Sequence, residues 1–314
     1  MLRRVLVTFL LLSSVLPAAE WVRVRTTDGA VVEGSTSAKT VGKTPLSQIL
    51  TVYSGAAASE SEAARITADF AAIQGTDRAA RDKAVEELTS IGLPVMTPLL
   101  KAYKDTDQHE PRPLYRLFER IMPSYADDFD RSLTLVRLAN GTAQRVALPT
   151  GSLDVVDGSG KKTSLDWTKI RTLAVRQKTV KRTMEVHSLK HCTQIEFLDT
   201  GVILTATSKA DLTARGMVRI SWDTDSWASD ATGIKVPGAP AYKSNLVDGH
   251  PFGSLVGRVE PAGENFFVGK QAALTGKSGR LRLAVNDNAH WQNNLGTFHV
   301  TMTATDAFDM GDAQ

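Results

Sequence analysis

The sequence predicts a mainly β protein in which two small β units flank a helical segment and a β-sandwich follows. Apolar and polar residues alternate in short runs over most of the 314 residues, as in strands with one buried face. Helical spacing of apolar residues is confined to about residues 59–122, and Asp-Gly and Asn-Gly pairs, which favour hairpins, lie on both sides of it. We therefore expect a signal peptide (1–19), a first small β unit (20–53), a helical segment (54–131), a second small β unit (132–186) and a β-sandwich (187–314).

The N-terminus has the layout of a secretory signal peptide. Arg3 and Arg4 precede an apolar run at residues 5–16, and small residues follow it. That run is shorter than the roughly 20 apolar residues that a membrane span needs. We expect residues 1–19 to be removed on export to the periplasm, the cell envelope or the medium, with no membrane span left afterwards. An N-terminal anchor that is kept is the alternative.

Charge and cysteine content limit which partners and which disulfides can be expected. Lysine and arginine number 37 against 34 acidic residues, and without Arg3 and Arg4 the balance is 35 against 34, a net charge of about +1. Such a balance gives no reason to expect a nucleic-acid partner. Cys192 is the only cysteine, so no intrachain disulfide can form.

Two stretches of the chain repeat one design. Asp28-Gly29 and Asn140-Gly141 each separate two alternating runs, and residues 48–52 are echoed by residues 169–173. We interpret regions 20–53 and 132–186 as two copies of one small β unit, the second with an extra hairpin that turns near residue 158. Chance similarity between short hairpins is the alternative.

The segment between the copies carries helix start and stop signals. Ser59 and Glu62 fit a capping box, and Gly75 ends the first helix. A second helix begins after Asp77, and a third and a fourth are expected from residue 94 and around residue 118. Residues 77–122 resemble a HEAT-type helical pair, which cannot cover both of its apolar faces by itself. We expect this segment to pack between the β copies; binding of a cell-envelope protein through residues 59–122 is the alternative.

The junction after the second copy is basic, and it leads to His187, His191 and Cys192. We interpret the basic run at 176–182 as a solvated strand or linker. In an extended strand the two histidines would lie about 13 Å apart, too far to share one ion. We therefore expect no metal site there and a core position for Cys192.

The last third of the chain reads as an all-β domain. Strands are expected at 195–197, 201–208, 217–222, 254–260, 266–269, 281–286 and 296–304, which suggests a sandwich or jelly roll. The loop between the last two strands is rich in side-chain oxygens, from Asp287, Asn288, Asn293 and Asn294. Those oxygens suit a hard cation, or they close local turns through their own backbone.

Several motifs of this region follow one another in a recognisable order: Asp199-Thr200-Gly201-Val202, residues 251–259, residues 266–269, Val285-Asn286-Asp287 and residues 293–298. Together they resemble the PA-IL-type family of bacterial calcium-dependent galactose-binding lectins over about residues 193–305. The resemblance implies a galactose-binding-like β-sandwich.

The resemblance also implies a calcium site. The matching ligands are Asp287, Asn293 and Asn294, with a backbone carbonyl nearest to Trp291 and a further carbonyl from an earlier loop within residues 223–230. Two vicinal sugar hydroxyls would complete the six to eight oxygen ligands that calcium takes. His290 and Trp291 would pack against the apolar face of the sugar, although Trp291 covering the sandwich edge is an equal alternative.

These observations predict an exported, non-catalytic protein that binds galactose-type carbohydrate through calcium at Asp287, Asn293 and Asn294, with His290 and Trp291 beside the sugar. The sequence contains no Gly-x-Ser-x-Gly, His-Glu-x-x-His or phosphate-binding glycine motif, and we assign no catalytic residue. The alternative is a structural or protein-interaction module of the cell envelope, in which the lectin-like domain has lost sugar binding.

Overall fold

The computed structural model describes residues 19–55, 57–75, 77–95, 98–99, 133–192, 197–220, 227–234, 247, 249–261, 263, 265–287 and 294–311. Within these residues the protein has 18 strands and two α-helices. The predicted fold class, mainly β with a small helical segment and a sandwich-like sheet, is confirmed. Residues 1–18 of the predicted signal peptide and the predicted fourth helix lie outside the described residues, and the third helix falls largely outside them.

The two small β units have the same order of elements. The first consists of β1 (Glu20–Thr26), β2 (Val31–Thr36), β3 (Thr40–Val41), β4 (Thr44–Pro45), a 3-10 turn (Leu46–Gln48) and β5 (Ile49–Tyr53). The second consists of β6 (Thr134–Leu138), β7 (Ala143–Val146), β8 (Ser152–Val156), β9 (Lys162–Asp166), a 3-10 turn (Trp167–Lys169) and β10 (Ile170–His187). Gly29 and Gly141, in the first hairpin turn of each unit, have φ of 90° and 85°, which glycine adopts without strain.

The two units are joined by hydrogen bonds between their strands. β1 of the first unit pairs with β10 of the second, and β5 of the first pairs with β6 of the second. The final strand of each unit therefore lies beside the first strand of the other, and both pairings are antiparallel. The core beneath them also draws on both units, with Val24 and Val52 from the first and Val136 and Leu173 from the second.

The described helices pack on this double unit; because the two β copies pair directly with each other, these helices lie on the copies and not between them. They are α1 (Glu60–Gln74) and α2 (Arg78–Ile91). Ile66, Phe70 and Leu88 share one apolar cluster with Leu135 of β6. Among the described residues, neither helix combines the length and the apolar character that crossing a membrane requires.

The start of α1 departs from the predicted capping box. The Ser59 side chain accepts a hydrogen bond from the backbone N–H of Glu62, at 3.3 Å. The Glu62 carboxylate does not return to Ser59 but forms a buried ion pair with Arg171 of β10. This ion pair joins the helical segment to the second β unit.

The remaining strands form the sandwich: β11 (Leu198–Leu204), β12 (Lys209–Arg219), β13 (Ala228–Ser229), β14 (Leu255–Glu260), β15 (Asn265–Phe267), β16 (Gln271–Thr275), β17 (Gly279–Val285) and β18 (Leu295–Asp309). In the last two strands, apolar residues alternate with residues such as Arg280 and Arg282, which predicts one inward and one outward face. The predicted inward residues are all buried, namely Leu281, Leu283, Val285, Phe298, Val300 and Met302. The prediction missed β16 and the first half of β12, where small residues such as Ala210 and Ala214 alternate with polar ones and give a weak apolar signal.

Strand β10 belongs to both the second β unit and the sandwich. Beyond the part that pairs with β1, it pairs with β18 from Arg176 opposite Phe308 to His187 opposite Thr297. Val180, Met184 and Val186 of this strand enter the sandwich core. The basic run is therefore a strand inside the sheet and not a linker. The boundary expected between residues 186 and 187 falls at the end of a strand that the two regions share.

Candidate functional site

Several strands of the sandwich begin or end at the same edge. This is shown by the residues paired at their ends: Leu255 with Val285, Arg219 with Leu295, and His187 with Thr297. The segments that follow or precede these residues therefore emerge together. Loops gathered at one end of a rigid sandwich are a common location for binding sites.

Asp287 and Asn294 meet at this end. Both are 1% exposed, and the Nδ2 of Asn294 donates a hydrogen bond to Oδ2 of Asp287. The same Nδ2 donates to the backbone carbonyl of Ser188, at 3.0 Å. Because the carboxylate and the carbonyl are both acceptors, the amide nitrogen must face them and Oδ1 of Asn294 must face away. The site therefore presents a carboxylate and an oriented amide oxygen.

These two side chains have the chemistry of a hard-cation site. Calcium takes oxygen ligands from carboxylates, amides and carbonyls. Among the described residues, no group of three His, Cys, Asp or Glu side chains is placed to hold a metal. A cation bound by the described residues would therefore use the Asp287 carboxylate together with amide and carbonyl oxygens. Three of the predicted site residues, His290, Trp291 and Asn293, lie outside the described residues.

The earlier loop that the sequence implicated starts at the same end. Arg219 pairs with Leu295, which follows Asn294, and the backbone N–H of Ile220 donates to the carbonyl of Trp227 at 3.1 Å. Residues 221–226, which include the acidic residues Asp223 and Asp225, lie between these bonded positions and outside the described residues.

Asp230, in the same region, is engaged elsewhere. Its carboxylate pairs with Lys270 at 2.8 Å and accepts hydrogen bonds from the hydroxyl and the backbone N–H of Thr232. The hydrogen bond from Lys270, followed by those from Thr232, lowers the pKa of Asp230 to about 2. The Asp230 carboxylate therefore stabilises a local turn and forms an ion pair.

Asn286 holds the neighbouring loop and was given no role by the sequence. It is fully buried, its Oδ1 accepts from the backbone N–H of Val247 at 3.0 Å, and its Nδ2 lies 3.2 Å from the carbonyls of His250 and Pro251. The only signal in the sequence was its place in the Val285-Asn286-Asp287 motif. Asn286 thus fixes the backbone beside Asp287.

The turn after β10 corrects the expected separation of the two histidines. The strand ends at His187, and a tight turn brings the two imidazole ring centres to 5.9 Å. Nδ1 of His191 accepts a hydrogen bond from the backbone N–H of His187 at 3.0 Å, so that nitrogen closes the turn. Cys192 is buried in the sandwich core, as predicted.

A buried charge network lies on the other face of β17. Arg282 is 1% exposed, although the alternation of the strand predicted an outward position. It pairs with Glu260 at 2.7 Å, and Arg280 pairs with Asp199 at 2.8 Å. Burial raises the pKa of Asp199, but the charges of Arg280 and Arg282 outweigh it and bring the pKa down to about 2. β17 is therefore covered on both faces.

Comparisons with known proteins find similarity among solved structures. No protein-family model matches the chain, and no curated protein matches it. The chain is similar to a solved structure described as "EclA N-terminal domain; PllA-like lectin", with 22% sequence identity and a TM-score of 0.31. That similarity covers 40% of this chain and 96% of the other.

Proposed function

We propose that this chain is an exported, non-catalytic carbohydrate-binding protein whose sandwich binds galactose-type sugars through a calcium ion. The observation that carries the proposal is the contact between Asp287 and Asn294. These residues are both 1% exposed and lie at the loop end of the sandwich. They are also the two described members of the ligand set that the lectin resemblance implies.

Burial of the Asp287 carboxylate supports a cation at this position. Removing a carboxylate from water is costly unless it is paired or bound to a metal. The Asp287 carboxylate accepts a hydrogen bond from Asn294, and a carboxylate in such a position is a suitable ligand for a divalent cation. The fixed amide of Asn294 adds a neutral oxygen, as calcium sites commonly have.

The rest of the proposed ligand set comes from the sequence. Asn293 and a carbonyl near Trp291 would complete the loop, and the earlier loop within residues 223–230 would supply a further carbonyl. When bound, calcium would coordinate two vicinal hydroxyls of the sugar, whose arrangement then decides which sugars fit. His290 and Trp291 would lie beside the apolar face of the ring.

The test uses the full-length protein without its signal peptide. We expect millimolar calcium to raise the melting temperature of the wild type, and galactose to bind in calorimetry only when calcium is present. Asp287→Asn, which keeps the shape of the side chain and removes its charge, should abolish both responses. Asp211→Asn changes an exposed carboxylate on β12 of the same sandwich and should leave both unchanged.

Two results would overturn the proposal in different ways. If the wild type does not respond to calcium, the proposed cation site and the proposed sugar binding are both wrong. A wild type that binds calcium but none of a panel of galactosides removes the carbohydrate function and favours the envelope-module alternative.

A further inference from the structure

The turn that follows β10, at residues 188–192, packs directly against the candidate site. We call it the bracing turn. It precedes residues 193–305, the range that resembles the lectins, and it continues a strand that starts in the second β unit. It reaches the site because β10 pairs with β18 along its length, so the end of β10 lies beside the start of β18.

The bracing turn is fixed on three sides. The backbone N–H and the hydroxyl of Ser188 both donate to the carbonyl of Gly296, at 3.1 and 3.0 Å. The backbone N–H of Val285 donates to the carbonyl of His191 at 2.6 Å. The turn is closed on itself by two bonds: the backbone N–H of His191 donates to the carbonyl of His187 at 2.8 Å, and Nδ1 of His191 accepts from the backbone N–H of His187 at 3.0 Å. The Ser188 residue is fully buried as a result.

One carbonyl of this turn determines the orientation of Asn294. The terminal torsion of an asparagine side chain is broad, so its amide needs partners to hold one orientation. Here Nδ2 donates to Asp287 and to the Ser188 carbonyl, so both of its hydrogens have an acceptor. Without the carbonyl, the bond to Asp287 would be the one restraint on the amide nitrogen from the described part of the chain.

We propose that the bracing turn is a positioning element of the site, in which the Ser188 carbonyl holds Asn294 with Oδ1 ready to bind a cation. This inference rests on the proposed function for the identity of the ion. It assigns to β10 of the second β unit a part in ligand binding. Partners that orient a metal ligand typically contribute a factor of about 10 to 100 in affinity.

The variants for the test act on the turn without touching Asn294. His191→Ala removes the side-chain acceptor that helps close the turn and leaves the backbone bond between residues 191 and 187, whereas His191→Asn keeps an acceptor oxygen near the position of Nδ1. Ser208→Ala is the matched control, because its hydroxyl closes a turn at the opposite end of the sandwich through bonds of 2.7 Å to Thr205 and 2.8 Å to Asp306. Ser188→Ala, which keeps the backbone bond to Gly296, is the milder variant should His191→Ala fold poorly.

Two measurements on the full-length protein decide the question. In calorimetry we expect His191→Ala to bind calcium about tenfold more weakly, and His191→Asn and Ser208→Ala to stay within about threefold of the wild type. In calcium-free protein we expect the side-chain amide protons of Asn294, followed by NMR, to exchange slowly in the wild type and His191→Asn and rapidly in His191→Ala.

The outcomes separate this inference from the proposed function. Calcium affinity in His191→Ala equal to that of Ser208→Ala, at matched loss of melting temperature, would overturn the positioning role. If the wild type binds no calcium, the proposed function fails, and the NMR signal alone then decides whether the turn holds the amide. Unchanged amide exchange in both His191→Ala and Ser188→Ala would overturn the inference in that case.

Discussion

The two small β units follow one plan but end differently. Both run through two hairpins and a 3-10 turn into a final strand. In the first unit that strand, β5, has five residues and stops at Tyr53; in the second, β10 has 18 residues and continues into the sandwich. The length of one strand thus separates a unit that ends at the helical segment from a unit that reaches the candidate site.

A second difference lies one residue into each final strand. Leu50 occupies this position in the first unit and Arg171 in the second, after the matching residues Ile49 and Ile170. Arg171 is 2% exposed, donates through Nε to Glu62 at 2.7 Å and through Nη2 to the carbonyl of Ala57 at 2.8 Å. The second unit therefore holds the start of α1 through a buried arginine, whereas the first unit contacts this helix through the carbonyl of Thr27, which accepts from Arg65 at 2.9 Å.

The first unit contacts the sandwich by side chains instead of by a shared strand. The hydroxyl of Thr51 donates to the carbonyl of Asp309 at 2.7 Å, and that of Tyr53 donates to the carbonyl of Met310. Burial raises the pKa of Tyr53, and the charges of Asp199 and Asp309 contribute to the increase. Tyr53 is thus close to the buried network of the sandwich.

The largest effect is expected from making the second unit resemble the first at this position. Arg171→Leu leaves the Glu62 carboxylate, 0% exposed, without its partner and should lower the free energy of unfolding by about 3–5 kcal/mol. Replacing Glu62 by Leu as well should recover most of the loss. The measurement is urea unfolding of both variants.

Arg23→Leu provides the control for that comparison. It breaks the pair with Glu33, whose side chains are 30% and 36% exposed, and should cost less than about 1 kcal/mol. A double variant as unstable as Arg171→Leu would show that the charges are not what joins the helices to the second unit.

An intermediate effect is expected on the sandwich side, at Asp199. Its pKa of about 2 in the folded protein lies below the value of about 3.9 in an unfolded chain, so the charged form stabilises the fold. This contribution, about 2 kcal/mol, is complete above roughly pH 4 and is lost as the pH falls toward 2. Asp199→Asn should therefore be less stable than the wild type at pH 7, and the difference should shrink between pH 4 and pH 2. Unfolding measured across this range checks it, and a gap that stays constant with pH would contradict the assignment.

The smallest effect on stability is expected from replacing Thr51 of the first unit, compared with the matching threonine of the second. Thr51→Val removes a fully buried hydrogen bond to Asp309 and should cost about 1 kcal/mol. Thr172→Val, at the matching position of β10, should cost less than about 0.5 kcal/mol, because the Thr172 hydroxyl makes no hydrogen bond among the described residues. Equal losses in thermal unfolding would mean that the side-chain contact of the first unit with the sandwich contributes little.

Much of the fold could be predicted because it depends on local patterns. The alternation in β17 and β18 gave the correct inward residues, and the turn glycines gave the correct hairpins. The length of β10 could not be predicted in this way. Its outward residues include Lys181 and Glu185, so the sequence left open a solvated strand or a linker, and only the pairing with β18 decides between them.

The burial of Arg282 and of Arg171 escaped prediction for a related reason. A buried guanidinium depends on carboxylates that lie far away in the sequence, Glu260 on β14 for one and Glu62 on α1 for the other. Nothing in the neighbouring residues distinguishes such an arginine from an exposed one.

The candidate site shows the same limit. Asp287 and Asn294 could be proposed from a motif, because their side chains carry the chemistry. Ser188 could not, since it contributes a backbone carbonyl that any residue has, and only the course of β10 brings it to Asn294.

Strand β10 also sets a distance scale for the molecule. Its 18 residues, at about 3.3 Å each, span at most about 55 Å from the ion pair that anchors α1 to the turn beside Asn294. Because hydrogen bonds to neighbouring strands restrain it on the way, the strand acts as a stiff spacer and not as a tether. A surface bound at the site would be separated from the helical segment by a length built into the sheet.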